Sequence, residues 1–492
     1  MRQLTGLDAS FLYLETNNSP MHIAGLSIYD PATAPGGKVR FKQIVENIAS
    51  RVHRVPAMTS RLFTVPMKLD HPYWVNDGTF DPEFHVRHIA LPAPGDWRQL
   101  CILVSRIHAR PLDRSRPLWE SYIIEGLDNV EGYPKGCFAV FTKMHHAAID
   151  GASGVEINAI MHDLSPEMAA PESTQVFNVD SKPSKAELLL RAQINTIKSP
   201  FRFLGVTKDA APGILKAAKG MLSGRLKRVN DIPRTRFNST VSPYRVIGAF
   251  RTSFAEVRAI KNRFKPATVN DVALTIVGGA LRKYLEAKDE LPEKSLAAMA
   301  PVNIRTDDSK GSAGNQVSQM TVRLRTDVEG ARERLQAVHE GTRDAKELTN
   351  AIGAKTMTDY TQFIPSTITA SAARLASSMN LANRINPVYN TVVTNVPGPP
   401  IPLYYTGAKM LSSFGTGPVL DSTGLFHVIS TYCDEFSVTF TACRDMLPDP
   451  EFYAECLQSS LDELKEAALL ADQVEPKPKA KRKSASIQKK AS

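Results

Sequence analysis

The sequence predicts an α/β protein built in two large halves. Strand-like runs alternate with amphipathic helical runs through most of the chain, the pattern of sheets packed against helices. At 492 residues the chain also exceeds what one ordinary hydrophobic core organises. A third observation sets the divide. Residues 165–232 interrupt the alternation, first Pro-, Ser- and Thr-rich, then apolar at helical spacing over Lys185–Leu226 with breaks at Ser199-Pro200 and Pro212-Gly213. The expected organisation is a first half over residues 1–164, a helical basic linker over 165–232, a second half over 233–470 and a disordered basic tail over 471–492.

In the first half, β-branched and aromatic residues mark strands at His22–Tyr29, His85–Leu91, Ser121–Glu125 and Gly136–Lys143. Apolar residues at helical spacing place helices at Phe41–His53 and Trp97–Ala109, and a further helical period runs from Gly151 to Leu164. The α/β pattern resumes at Arg245. Strands are expected at Leu296–Val302, Gln316–Leu324, Tyr389–Asn395, Leu425–Thr431 and Phe436–Cys443, with helices at Thr268–Leu285, Val328–Leu348 and Pro450–Leu470. The tail interleaves Lys and Arg with Pro, Ala and Ser, a composition that buries no core.

An apolar content of 42% is that of a globular protein. No run approaches the roughly 18 apolar residues of a bilayer-spanning helix, and the N-terminus lacks the charged and apolar regions of a secretory signal. The expected location is cytoplasmic, peripherally associated with membrane or lipid inclusions. Five cysteines, odd in number and without a CxxC pair, argue against a disulfide framework or a zinc site. The formal charge of +10 is uneven, because residues 182–228 carry a net +9 and residues 475–492 a net +6, leaving a mildly acidic body. Such segments suit anionic lipid or nucleic acid. Neither zinc-finger spacing nor a basic-aromatic RNA signature accompanies them, so an anionic membrane or lipid-droplet surface is expected and nucleic acid is not.

The run Met144-His145-His146-Ala147-Ala148-Ile149-Asp150-Gly151 carries the chemistry. It lies where a strand ends and a helix begins. Successive strand side chains point to opposite faces, so one histidine enters a cleft while its neighbour packs behind it. A neutral imidazole, with a reference pKa of about 6.5, takes a hydroxyl proton near neutral pH. A metal reading fails, since the two histidines diverge and no third and fourth ligands stand at zinc-like spacing.

This HHxxxDG motif resembles that of the bacterial wax ester synthase/diacylglycerol acyltransferase family, and more distantly the superfamily of chloramphenicol acetyltransferase, carnitine acyltransferases and peptide-synthetase condensation domains. The segments Leu7-Asp8-Ala9-Ser10-Phe11-Leu12-Tyr13-Leu14-Glu15, Pro20-Met21-His22, Pro117-Leu118-Trp119, Asn270-Asp271-Val272-Ala273-Leu274 and Asn395-Val396-Pro397-Gly398-Pro399 resemble further family motifs in family order. The resemblance spans roughly residues 4–465. It implies two chloramphenicol-acetyltransferase-like domains joined by the helical crossover linker, with an active-site tunnel at their interface. It implies acyl-CoA as a substrate, a fatty alcohol or diacylglycerol as acceptor, and no cofactor or metal. It also implies that His146 is the base and that His145 supports it. In relatives the carboxylate equivalent to Asp150 forms an ion pair that holds the site together; Arg305 is a candidate partner, and the local alternative is that Asp150 caps the helix beginning at Gly151.

Thr268-Val269-Asn270-Asp271 reads as a capping box, with Thr268 as N-cap and Asp271 at the third helical position. The resemblance places the same residues at the cleft. Asn270 would then sit at a helix N-terminus and face developing negative charge. Asn395, Pro397 and Gly398 read either as a sharp turn after a strand or as lining of the tunnel, and Trp119 either as packing at a strand start or as a tunnel wall. His22, His53 and His162 read as ordinary isolated histidines. The implied activity is transfer of a long acyl chain from CoA to a hydroxyl. Two alternatives are a condensation-type acyltransferase of specialised metabolism, which normally stands beside a carrier domain, and a non-catalytic lipid-droplet-binding protein that kept the fold.

Overall fold

The computed structural model describes residues 1–76, 78, 80–149, 151–167, 180–198, 231–303, 317–352, 383–384 and 386–474. The expectations placed on Asp150, Arg305, the linker over 168–179 and 199–230 and the tail over 475–492 lie outside the described residues. Before the linker run β1 (Arg2–Gln3), β2 (His22–Asp30), β3 (Ser60–Phe63), β4 (Tyr73–Asn76), β5 (Val86–Ala90), β6 (Trp119–Leu127) and β7 (Cys137–His145). After it run β8 (Arg245–Ser253), β9 (Ala297–Asn303), β10 (Val317–Arg323), β11 (Thr391–Pro397), β12 (Tyr404–Tyr405), β13 (Ala408–Thr416), β14 (Leu425–Tyr432) and β15 (Glu435–Cys443).

Two six-stranded sheets organise the two halves, in the orders β12-β13-β2-β7-β6-β5 and β10-β9-β11-β14-β15-β8. In the first sheet β7 is buried on both faces, which explains its nearly unbroken apolar run. Cys137, Ala139 and Phe141 enter a core with Leu100, Val104 and Ile107 of the helix Trp97–His108. Phe138, Val140 and Met144 enter another with Ile44, Val45 and Ile48 of the helix Phe41–Arg51. Each large side chain buried this way contributes about 1.5 to 3 kcal/mol, so the position of β7 is strongly held. The second sheet packs against the helices Phe254–Arg263, Val269–Glu286, Ala331–Ile352 and Pro450–Val474 around one large core.

The halves are interlocked. β13, from the C-terminal part of the chain, pairs antiparallel with β2 in the register Phe414↔Leu26 and Thr416↔Ala24, so the first sheet is completed by the second half. Its inward positions are Ala408, Met410, Ser412, Phe414 and Thr416. Two of them carry hydroxyls, and this weak hydropathy left the strand unread in the sequence.

β11 also differs from expectation. It continues through Pro397 instead of turning after Asn395, with Pro397 in register with Thr431 of β14. Gly398 N–H donates to Thr431 O at 2.8 Å, so the alternating amides of β11 turn the nitrogen of Pro397 away from β14. Among the described residues β9 pairs with Thr391 and Val392 on that side and not with Pro397, so the missing donor of proline costs no ladder bond among them.

A smaller sheet, β1-β4-β3, lies beside the first. The linker's helix over residues 185–198 packs on it through Leu188 and Ala192, which meet Val65, Tyr73 and Val75.

Candidate active site

β7 ends at His145, and the chain turns through His146, Ala147 and Ala148 before the helix Gly151–Met161. Both neighbouring strands hold this end through the backbone. His145 N–H donates to Leu118 O at 3.0 Å, and His146 N–H donates to Met21 O at 2.8 Å. The segments Pro117-Leu118-Trp119 and Pro20-Met21-His22 thus meet at the histidine pair. The helix Gly6–Leu14 lays Phe11 over His146, with ring centroids 3.9 Å apart and planes 12° apart. His146 remains partly exposed, whereas His145 is buried.

The enclosure of His145 is chemical as well as steric. Its Nδ1 accepts the Ala147 N–H at 3.0 Å, which leaves the ring proton of the neutral imidazole on Nε2. That nitrogen faces Glu15 Oε2 at 3.4 Å. Burial holds His145 below the usual histidine pKa in spite of Glu15, so the ring is neutral at neutral pH.

Glu15, which caps the C-terminus of the helix Gly6–Leu14, is the hub of this cluster. Its carboxylate accepts Arg114 Nε at 3.0 Å and lies 3.7 Å from His22 Nε2. Arg114 also donates to Leu12 O at 3.2 Å, satisfying a carbonyl in the helix's last turn. Burial alone would raise the Glu15 carboxyl; its contact with His145, followed by the Arg114 guanidinium, outweighs it and brings it down to about 2. Behind Glu15, His22 is paired with His145 across β2 and β7, their rings 5.9 Å apart, and His108 lies edge-on to His22 at 6.3 Å. Burial pushes both His22 and His108 well down, His108 to about 3. Lys143, on the same face of β7, is fully buried; its Nζ donates to Ile107 O at 3.2 Å and Arg110 O at 2.9 Å and lies 3.2 Å from Glu120 Oε2. Among the described residues no group of three or more His, Cys, Asp or Glu side chains is arranged to hold a metal ion.

In the second half, Thr268 is the N-cap of the helix Val269–Glu286. Asp271 N–H donates to Thr268 Oγ1 at 3.2 Å, and Thr268 N–H donates to Asp271 Oδ2 at 2.8 Å, closing the capping box. His339 Nδ1 adds a contact to the same carboxylate oxygen at 2.9 Å. Burial acts to raise Asp271, but His339 and Thr268 outweigh it and lower it. Asn270 occupies the second helical position and is partly exposed.

Residues 4–273 match the family model of the wax ester synthase/diacylglycerol acyltransferase catalytic domain, and residues 313–465 match that of the C-terminal domain. The chain belongs to the wax ester synthase/diacylglycerol acyltransferase family. It is 32% identical over 471 residues to a putative diacylglycerol O-acyltransferase of Mycobacterium tuberculosis, covering 95% of this chain and 91% of the relative. It is 30% identical over 461 residues to the O-acyltransferase WSD of Acinetobacter baylyi, covering 91% of this chain and 93% of that protein. The solved wax ester synthase/diacylglycerol acyltransferase from Marinobacter aquaeolei VT8 superposes with a TM-score of 0.68 at 28% identity, over 95% of this chain and 100% of that one. The first condensation domain of the CDA synthetase superposes with a TM-score of 0.55 at 13% identity, over 95% and 96% of the two chains, and shares the fold alone.

Of the motifs that resemble the wax ester synthase/diacylglycerol acyltransferase family, those of the first half converge on the histidine turn. Trp119 packs in the first half's core, 1% exposed, stacks on His85 and donates from Nε1 to Met58 O at 2.8 Å. Asn395 and Pro397 are exposed on one side of the end of β11. Gly398 is needed for space, since an added Cβ would come 2.4 Å from Thr431 O. Gly151 opens the helix after the turn.

The sequence reading missed the roles of Glu15, Arg114 and Lys143, and took His22 for an isolated histidine. Glu15 and His22 lie inside the segments that resemble family motifs, but it is the register His22↔His145 that puts them at the site. Removing the second-half cap is expected to act on stability: Asp271→Ala should lower the free energy of unfolding by about 1 to 2 kcal/mol, read by denaturant titration. An unchanged midpoint would mean that neither the cap nor the His339 contact contributes.

Proposed function

We propose that the protein is a long-chain O-acyltransferase that moves a fatty acyl group from acyl-CoA to a fatty alcohol, to diacylglycerol or to both. Family membership supports the reaction class, and the relatives' names cover both acceptor types. One observation carries the assignment of the base. Of two adjacent imidazoles, His145 is enclosed with one ring nitrogen on the Ala147 amide and the other facing Glu15, whereas His146 is partly exposed.

In this reading His146 takes the proton of the acceptor hydroxyl as the oxygen attacks the thioester carbonyl. The tetrahedral intermediate collapses with loss of the CoA thiolate, which takes the proton back from His146. No covalent enzyme intermediate is required. Asn270, at a helix N-terminus, stabilises the oxyanion. His145, Asp150, Gly151, Asp271 and Arg305 hold the site in shape, and Trp119, Asn395, Pro397 and Gly398 are candidates for the walls of a substrate tunnel. The bound acyl-CoA is a substrate, and the reaction needs no cofactor. The water-insoluble acceptor is met at an anionic membrane or lipid-droplet surface, to which the basic tail is an electrostatic tether.

The test is thiol release from palmitoyl-CoA in the presence of hexadecanol and, separately, diacylglycerol, both dispersed in detergent. Release that depends on either acceptor supports the proposal, and release with neither removes it in favour of a lipid-binding role. In the same assay Asn270→Ala is expected to lower kcat by about 10²-fold while acyl-CoA affinity changes little, because an oxyanion contact strengthens only as charge develops. Unchanged turnover at saturating substrate would take Asn270 out of the site.

A further inference from the structure

The helix over residues 185–198 is apolar on two opposite faces. Its inner face, Leu188 and Ala192, is buried on the small sheet. Its outer face presents Leu190, Ile194 and Ile197, which are 58%, 40% and 69% exposed. At 100° per residue these three fall within about 60° of one another, opposite the buried pair. Beside the same sheet, the turn after β3 exposes Met67 by 76% and Leu69 by 52%. Isolated surface hydrophobics are ordinary, but a helical stripe of this kind marks an interaction surface.

We infer that this outer face, with Met67 and Leu69, is where the enzyme docks on an anionic lipid surface. The inference rests on the acyltransferase reading, whose acceptors are water-insoluble, and it identifies which part of the molecule meets them. Two observations favour lipid over a second copy of the chain. The segment is basic, with exposed Lys182, Lys185, Arg191 and Lys198 against Glu187, and anionic headgroups complement that charge. The second observation is position. β4 sends Tyr73 and Val75 to this helix, and Trp74, on its other face, to a cluster with Leu12, Leu118 and Ala147. One strand therefore separates the docking helix from packing against the residue that follows His146. Asn195 fixes the helix to this layer by donating to Gln3 Oε1 at 3.1 Å and Asp70 Oδ2 at 2.7 Å.

The experiment uses the full chain carrying Leu190→Gln, Ile194→Gln and Ile197→Gln, substitutions that keep helix-forming residues and remove only the apolar stripe. Binding to phosphatidylcholine–phosphatidylglycerol vesicles by cosedimentation is expected to weaken about tenfold or more, with thiol release on detergent-dispersed substrate unchanged. A second variant, Ile197→Trp, gives a direct reading even if the triple variant folds poorly. Its emission should shift to the blue on adding vesicles, as a ring entering the interface does. Vesicle binding equal to wild type in the triple variant, or no blue shift in the single one, overturns the inference. So does a wild-type dimer that becomes monomeric in the triple variant while vesicle binding persists, since the stripe is then a subunit interface. Loss of binding on truncation after Leu470, with the triple variant still binding fully, assigns docking to the tail instead. An enzyme without thiol release in detergent would overturn the acyltransferase reading and leave the vesicle measurements to be judged by themselves.

Discussion

His146→Ala is expected to lower turnover by about 10² to 10⁴-fold with thermal stability close to wild type. The magnitude is that of a lost general base, and the preserved fold follows from the residue's place in a partly exposed turn outside the cores. His145→Ala should behave differently. It removes an acceptor from the Ala147 amide and a partner from Glu15, so stability and activity should fall together. Thermal melts and kcat measured on both variants decide the assignment. A stable but inactive His145→Ala protein beside an active His146→Ala protein would reverse the two roles.

Glu15→Ala is expected to cost about 1 to 3 kcal/mol of stability at neutral pH, because it removes the carboxylate that accepts from Arg114 and that the buried His22 and His145 rings face. Turnover should fall about 10²-fold as well, since the turn carrying His146 is positioned by His145. The pH dependence separates this role from simple packing. The Glu15 carboxyl is depressed from 4.5 to about 2, so its contribution is present in full above about pH 4.5 and is lost as pH falls toward 2. The stability difference between wild type and variant should therefore shrink across that window. His22, His108 and His145 are also depressed, and their contribution begins to fade below about pH 6.5 in both proteins, where the unfolded chain takes up protons first. A difference that stays constant from pH 6 to pH 3 would mean that the Glu15 charge contributes nothing and only its volume matters.

Much of this molecule was legible locally. Strands such as Leu425–Tyr432 and helices such as Val269–Glu286 announce themselves because side-chain periods of two and of 3.6 are properties of adjacent residues. The capping box of Thr268 and Asp271 was readable for the same reason, as its hydrogen bonds close over three residues. The histidine pair was readable from its neighbours, and alternation along a strand already required one ring to be enclosed. Gly398 was read for the wrong property. The expectation was a sharp turn after the strand or a place in the tunnel lining, whereas the constraint is the oxygen of Thr431, which no local pattern reveals.

By itself the sequence determined the α/β class, the order of most elements, the family and the place of the histidine pair at the end of a strand. Those follow from local periodicity and from motifs contiguous in the chain. Which imidazole is enclosed, and what encloses it, was decided only by the tertiary structure. Glu15, His22, Arg114 and His145 meet because β2 and β7 pair in one register and the loop carrying Arg114 returns to the helix Gly6–Leu14. The completion of the first sheet by β13 is of the same kind, a pairing between segments hundreds of residues apart. Such contacts depend on register and burial across the whole fold, and a chain read along its length carries no signal for either until the sheets have formed.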